Sequence, residues 1–255
     1  MRAIGIIPAR MASTRFPGKP LAPLCGIPML GHVYHRSRMC EELDALYVAT
    51  CDKEIVEYVE SIGGEAVMTA DTHERCGDRV AEALLTIESG GRPKPDVVVL
   101  IQGDEPLVRP EMIRESLAPL RDNPSVRIVN LMGDIESEDA WRDPNEVKVV
   151  VDPRGFAVYF SREPIPSKKK WAGDIPMKKQ ICIIPHRRDF LLEFTGLEPT
   201  PLEKIESVDM MRVIEHGYKV KMVQTAYRVQ SVDTPADLAD AEKIMAQDPL
   251  LPSYS

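Results

Sequence analysis

Short apolar runs that stop abruptly at a proline, a glycine or a charged loop set the rhythm of the first hundred or so residues. Ile4-Gly5-Ile6-Ile7 breaks at Pro8, and the runs at 45–50, 65–69 and 96–101 are of the same kind. Continuous apolar runs of this length read as strands buried on both faces. Between them lie stretches of helical spacing, at 28–40, 53–62 and 79–88; in the last, Val80, Ala83, Leu84 and Ile87 share one face. Strand–helix alternation predicts βαβ units in an α/β fold with a mainly parallel central sheet flanked by helices. Right-handed crossovers then bring the loops that follow the strands to one edge.

The second half is patterned differently. Runs at 147–152, 157–161 and 181–184 read as strands with few helices between them, a smaller β-rich section at about 147–185. Lys168-Lys169-Lys170-Trp171 and Lys178-Lys179 flank a solvated loop. Helices are expected at 187–194 and 201–217, the latter as one element with Pro201 at its start and Gly217 at its end. A late strand follows at 219–223. Thr234 and Pro235 are the N-cap and first residue of a last helix. The tail at 248–255 is expected to fray. One domain over 1–255 is the organisation read.

Composition removes several function classes. A formal charge of −8 and a pI near 5.3 argue against a nucleic-acid-binding surface. No segment is apolar enough to span a bilayer, and the first twenty or so residues are a strand and a charged loop, not a signal peptide. The five cysteines, Cys25, Cys40, Cys51, Cys76 and Cys182, include no C-x-x-C pair, which fits a reducing cytoplasm and no zinc or disulfide framework.

Candidate chemistry gathers where strands end. After Pro8 comes a loop with Arg10, Arg15 and Lys19, and with Ser13, Thr14 and Gly18 among them. Backbone N–H groups and fixed cations at the carboxyl edge of a sheet hold phosphates, and several cations suit a triphosphate better than a single carboxylate. The other reading is an ordinary solvated loop. Neither G-x-x-x-x-G-K-[ST] nor G-x-G-x-x-G is present. The run at 96–101 leads into Gln102-Gly103-Asp104-Glu105-Pro106, which delivers a carboxylate to the same edge. A carboxylate facing a triphosphate needs a divalent cation between them, and Mg²⁺ is the usual bridge; otherwise Asp104 caps the next turn. Asp233, in Ser231-Val232-Asp233-Thr234-Pro235, is either a second such carboxylate or a helix cap. Arg162 follows a strand and could grip a carboxylate through two parallel hydrogen bonds or pair with Glu163 or another acid.

Four stretches carry a resemblance: PARMASTRFPGKPLAPLCGIPML at 8–30, Ile101 to Pro106, Tyr159 to Pro166, and Val232-Asp233-Thr234-Pro235. In this order, over nearly the whole chain, they resemble the sugar-acid cytidylyltransferases, nearest those acting on 3-deoxy-manno-octulosonate (Kdo). The resemblance implies a nucleotidyltransferase-like, Rossmann-like fold, a homodimer, and a place in lipopolysaccharide biosynthesis. It implies that Asp104 and Asp233 hold a catalytic magnesium, and that Arg10 and Lys19, with Ser13, bind the triphosphate of CTP; Arg15 either joins them or is a surface residue. Arg75, Asp78 and Arg79 fall in the nucleotide loop, Gln102 lies beside the metal, Arg162 takes the acceptor's carboxylate, and Glu206 takes sugar hydroxyls. The implied reaction is attack by the sugar acid's anomeric hydroxyl on the α-phosphorus, giving a CMP-sugar and pyrophosphate. The chain departs from the family at Arg75-Cys76-Gly77 in place of Ser-Gly-Thr, at Gln180 for His, Ile184 for Tyr, and Met210 for Gln. The last three lie on the acceptor side. Kdo, a modified Kdo, another acidic sugar or a phosphonate are therefore all open as acceptor, and a non-catalytic nucleotide-binding protein is the alternative of another class.

Overall fold

The computed structural model describes every residue except Thr14, so the part of the cationic loop read at that position lies outside the described residues. The chain forms two compact units, Met1–Arg114 with Arg228–Ser255, and Glu115–Tyr227.

The first unit is built on the predicted βαβ alternation. Its elements are β1 (Ala3–Pro8), a small hairpin of β2 (Pro23–Leu24) and β3 (Ile27–Pro28), α1 (Met29–Arg38), β4 (Ala45–Thr50), α2 (Lys53–Ser61), β5 (Glu65–Met68), α3 (Cys76–Ser89), β6 (Val97–Ile101) and the start of α4 (Pro110–Asp122). Strands β6, β1, β4 and β5 lie side by side in that order, all parallel, with Ile6 opposite Leu100 on one side and Tyr47 on the other. Every residue of β1 and β6 is buried, as continuous apolar runs require. Parallel pairing places the ends of these strands at one edge, and there the chain runs tight. A Cβ on Gly103 would sit 2.7 Å from the carbonyl oxygen of Pro8, so only glycine lets the loop after β6 press against the end of β1. Helix α3 starts at Cys76 rather than Arg79, so Asp78 stands in its first turn, where an acid favours the helix dipole.

The second unit carries a mixed sheet. Its elements are β7 (Val129–Asp134), α5 (Glu138–Arg142), β8 (Lys148–Val151), β9 (Ala157–Ser161), β10 (Lys178–Ile181), β11 (Ile183–Arg187), α6 (Arg188–Thr195), α7 (Pro201–Glu206), α8 (Met210–Glu215) and β12 (Lys221–Gln224). The order is β12-β7-β10-β8-β9, with β12 parallel to β7 and the other pairs antiparallel. The single helix expected at 201–217 is two. Ser207 adopts a left-handed conformation at φ 52°, ψ 50°, and the Val208 amide donates back to the Glu203 carbonyl. The break folds α8 back on α7 so that Arg212 meets Glu203, and a one-period reading has no means of seeing it.

His186, on β11, is 1% exposed; its Nδ1 donates to the Ile184 carbonyl at 2.8 Å and its Nε2 has no partner. Burial pushes its pKa down to about 4, because the charged ring would lose its hydration. A base whose folded pKa is depressed gives stability that is complete above the unfolded value of about 6.5 and is lost as pH falls toward 4. The loss is expected to reach about 2 kcal/mol by pH 5. Urea unfolding of the wild type and His186→Phe at pH 7 and pH 5 checks this: the wild type should lose more between the two.

The chain then returns to the first unit as α9 (Pro235–Met245). Thr234 is its N-cap and Pro235 its first residue, as read, and Thr234 and Asp237 satisfy each other in a capping box. The tail does not fray. Leu251–Ser253 form a 3-10 turn, Asp248 pairs with Arg36 at 3.0 Å, and the Tyr254 hydroxyl accepts from Arg36 Nε at 2.8 Å. Arg36 is fully buried on α1, and a buried guanidinium demands a counter-ion. No helix among the described residues is long and apolar enough to cross a membrane.

Candidate active site

A cavity of about 570 Å³ opens at the strand-end edge of the first unit. Its walls bring together most of the nucleotide-side residues singled out in the sequence: Arg10, Ser13, Arg15 and Lys19 from the loop after β1, Gln102, Gly103 and Asp104 from the end of β6, Arg75 and Arg79 from the start of α3, and Asp233 ahead of α9. Asp78 is not on the wall; it stands half-buried in the first turn of α3.

The loop is folded upon itself. Ser13 and Gly18 amides both donate to the Met11 carbonyl, and the Met11 amide donates to Asp52 at 2.7 Å. Gly18, at φ 74°, then turns the chain so that Lys19 opens a short 3-10 turn. The Lys19 ammonium lies 2.8 Å from Asp104 Oδ2, 3.5 Å from Asp233 Oδ1, and 2.7 Å from the Val232 carbonyl. Arg15 donates to Asp233 at 2.9 Å. The segments that bear the two carboxylates are tied together: the Val232 amide donates to the Asp104 carbonyl at 2.9 Å, and beside it the Ser231 hydroxyl donates to the Glu105 carboxylate at 2.6 Å. Asp233 therefore does not cap α9, since Asp237 closes the capping box, and its carboxylate faces the cavity wall. Arg79, also part of the cavity lining, is 3% exposed. Its Nη1 donates to Thr69, and its Nη2 is buried with no hydrogen-bond partner. An unpaired buried guanidinium nitrogen on a cavity wall is a donor waiting for a ligand acceptor.

The residues read on the acceptor side belong to the second unit. The Arg162 guanidinium does not pair with a carboxylate there. Its Nε donates to the Glu206 carbonyl at 2.8 Å, Nη1 to the Pro144 carbonyl at 2.7 Å and Nη2 to the Ser207 carbonyl at 3.2 Å, which leaves two of its five N–H groups. Its own carbonyl accepts from buried Lys148, whose pKa burial pushes down. Glu206 accepts from the Tyr159 hydroxyl and the Ser161 hydroxyl, both at 3.0 Å, and from the Arg162 amide at 2.9 Å. Burial first, and this hydrogen bond second, raise the Tyr159 pKa. Gln180 donates to Asn130 at 2.6 Å, while Ile184 and Met210 are 6% and 2% exposed.

Met29, His73, Glu74 and Cys76 line the cavity without having been singled out as site residues. Met29 sits where an apolar helix start is expected, and His73 is held by Glu82. Neither signals a ligand in isolation.

A parallel α/β sheet with a cationic, two-carboxylate cavity beyond its strand ends defines a nucleotide-binding α/β protein. Comparison with known proteins places it further. The family model described as "Cytidylyltransferase" matches residues 4–225, and the chain belongs to that family. A relative from Geobacter metallireducens named 3-deoxy-manno-octulosonate cytidylyltransferase is 42% identical over 248 residues, covering 93% of this chain and 95% of the relative. One of the same name from Geobacter sulfurreducens is 41% identical over 255 residues, covering 96% and 98%. A solved structure of CMP:2-keto-3-deoxy-manno-octonic acid synthetase complexed with CTP matches with a TM-score of 0.88 at 35% identity, over 97% of this chain and 99% of that one. The α/β nucleotidyltransferase-like fold expected from the sequence is thus the fold found.

Proposed function

We propose that the protein transfers the cytidylyl group of CTP to Kdo or a Kdo-like sugar acid, releasing pyrophosphate, with Mg²⁺ as its metal. The observation that carries this reading is the convergence of Asp104 Oδ2 and Asp233 Oδ1 on one cation, the Lys19 ammonium, in a cavity with further arginines. A point that two carboxylate oxygens already share with a positive charge is chemically suited to a divalent ion. No cluster of three or more His, Cys, Asp or Glu that could hold a metal occurs among the described residues. Two carboxylates with phosphate oxygens and water completing the shell is the Mg²⁺ pattern, so the donor set fits. Bound there, the ion would lower the pKa of the acceptor hydroxyl and neutralise charge growing on the α-phosphate.

The chain's own groups supply the rest. Arg10 and Lys19 hold the phosphates, and Arg79 Nη2 offers its free donor to the nucleotide. The acceptor's hydroxyl oxygen forms its bond to the α-phosphorus as the bond to pyrophosphate breaks. Fixed cations that cost no reorganisation when charge develops are the source of rate. Arg162, with two N–H groups to spare, takes the acceptor's carboxylate. The cysteine pattern supports a cytoplasmic location, and the resemblance supports a homodimer, which sedimentation at micromolar concentration checks.

Arg162→Ala is expected to raise the KM of every acidic acceptor by at least about tenfold, the worth of one charge-assisted hydrogen bond, with the KM for CTP little changed. Pyrophosphate release from CTP, Mg²⁺ and a panel of sugar acids tests the function itself. Kdo as the best substrate supports the reading; no release with any acid rejects it in favour of a nucleotide-binding protein. A second reading, a different acidic acceptor, is favoured by Gln180, whose amide is already engaged by Asn130, and by buried Ile184 and Met210. Release with another acid in preference to Kdo is its outcome in the same panel.

A further inference from the structure

The C-terminal strap and the buried arginine beneath it have no part in the chemistry above, yet they are built to a high standard of polar satisfaction. Arg36 Nη2 meets Asp248 at 3.0 Å and Met245 Sδ at 3.3 Å, Nε donates to the Tyr254 hydroxyl at 2.8 Å, and Nη1 donates to the Val108 carbonyl at 3.4 Å. His32 Nε2 lies 2.7 Å from the Leu24 carbonyl, which can only accept, so Nε2 carries the proton. Nδ1 is then an acceptor for the Tyr254 hydroxyl at 2.9 Å. His35 stacks on the Tyr254 ring at 5.5 Å. The Tyr254 hydroxyl thus both donates and accepts, on residues more than two hundred positions away.

What this strap holds is α9. Met245, the last residue of α9, touches Arg36 and belongs to one apolar cluster with Ala241, Leu24, Met29, Leu107 and Val232. Val232 is the residue before Asp233, its carbonyl accepts from Lys19, and its amide donates to Asp104. Met29 lines the cavity. The Cys25 amide adds a tie to Glu242 in the middle of the helix at 3.1 Å. The apolar floor under the two carboxylates and the anchor of the tail are therefore one packed body, with α9 as its rigid connection.

We propose that Arg36, Asp248 and Tyr254 are positioning residues for Asp233: the clamp at the end of α9 sets where the second carboxylate of the site stands. This rests on the reading of Asp233 as a site carboxylate. Tyr254→Phe removes only one hydroxyl and leaves the packing in place; Asp248→Asn keeps the shape of the side chain but takes the charge that faces buried Arg36, so its loss of stability is measured beside its kinetics. Ile55→Val, a fully buried truncation on α2, is the control for lost stability alone. In both clamp variants kcat is expected to fall about fivefold with the KM for CTP unchanged, the size of effect seen when a coupled packed network is perturbed. The Val232 amide is expected to exchange with solvent about tenfold faster than in the wild type, as local opening of a loosened segment becomes cheaper. Ile55→Val should show neither effect. Calorimetric affinity for CTP with Mg²⁺ should stay at the wild-type value on Tyr254→Phe, and adding Tyr254→Phe to Asp233→Asn should lower kcat no further than Asp233→Asn alone. Clamp variants that lower the melting temperature like Ile55→Val, while kcat and Val232 exchange stay at wild-type values, overturn the proposal. If the wild type releases no pyrophosphate with any acid, the functional reading fails separately, and Val232 exchange still decides whether the clamp holds the segment.

Discussion

Asp104→Asn and Asp233→Asn are each expected to lower kcat by about three orders of magnitude at saturating Mg²⁺, because each removes several kcal/mol of transition-state charge stabilisation. The structure separates this loss from damage to the fold. The Asp104 main chain, not its side chain, accepts from Val232, so the tie between the two segments survives substitution. The capping box of α9 uses the Asp237 carboxylate, so Asp233→Asn spares the helix. Both side chains are partly solvated, at 21% and 27% exposure, and in either variant Lys19 keeps the other carboxylate as partner. Melting temperatures within a few degrees of wild type are expected. Turnover near the wild-type rate in either variant would remove the two-carboxylate reading.

The largest loss of stability is expected at Glu203 and Arg212. Their side chains are 0% and 3% exposed, and they meet through two parallel hydrogen bonds of 2.7 and 2.8 Å. Glu203 also accepts from the Thr200 amide at 3.1 Å, and the Arg212 guanidinium lies 5.0 Å from the Phe194 ring centroid. Glu203→Ala takes from a buried charged guanidinium the carboxylate it meets through two hydrogen bonds, and is expected to cost about 3–5 kcal/mol. Replacing both residues, Glu203→Leu with Arg212→Met, is expected to recover much of that, since no stranded charge remains. Urea unfolding at neutral pH distinguishes the cases; a single variant costing less than about 1 kcal/mol would show that the pair is not acting as a buried ion pair. The consequence extends to Arg162, because the α7–α8 hairpin that this pair closes carries two of the three carbonyls to which the Arg162 guanidinium is bound.

Local chemistry made the nucleotide half of the molecule readable. An apolar run buried on both faces can only be an interior strand, and cations and carboxylates that follow such runs must gather where the strands end; Arg10, Lys19, Gln102 and Asp104 do. What stayed hidden depends on partners distant in sequence. Arg36 reads as one more basic residue on an amphipathic helix until Asp248 and Tyr254 are seen against it. The break at Ser207 has no glycine or proline to mark it, and is held by Arg212 returning to Glu203. Arg162 and Glu206 show residue type without geometry: the sequence offers a carboxylate grip or an ion pair, and the fold engages the arginine with carbonyls and the glutamate with two hydroxyls and an amide.

The first unit is assembled from two pieces of chain, and Ser231 reaches Glu105 across 126 positions of sequence. A ribosome therefore makes the parallel strands β1, β4, β5 and β6, the cationic loop and Asp104 early, and the segment bearing Asp233 only after the whole of Glu115–Tyr227 has followed. Until then the face of the nascent unit that receives α9, including Leu24, Met29 and Leu107, has no cover. At typical synthesis rates of about 5–20 residues per second, that exposure lasts for several seconds or more. The interval is the period in which this chain is most open to aggregation or to chaperone capture, and it closes with the arrival of α9.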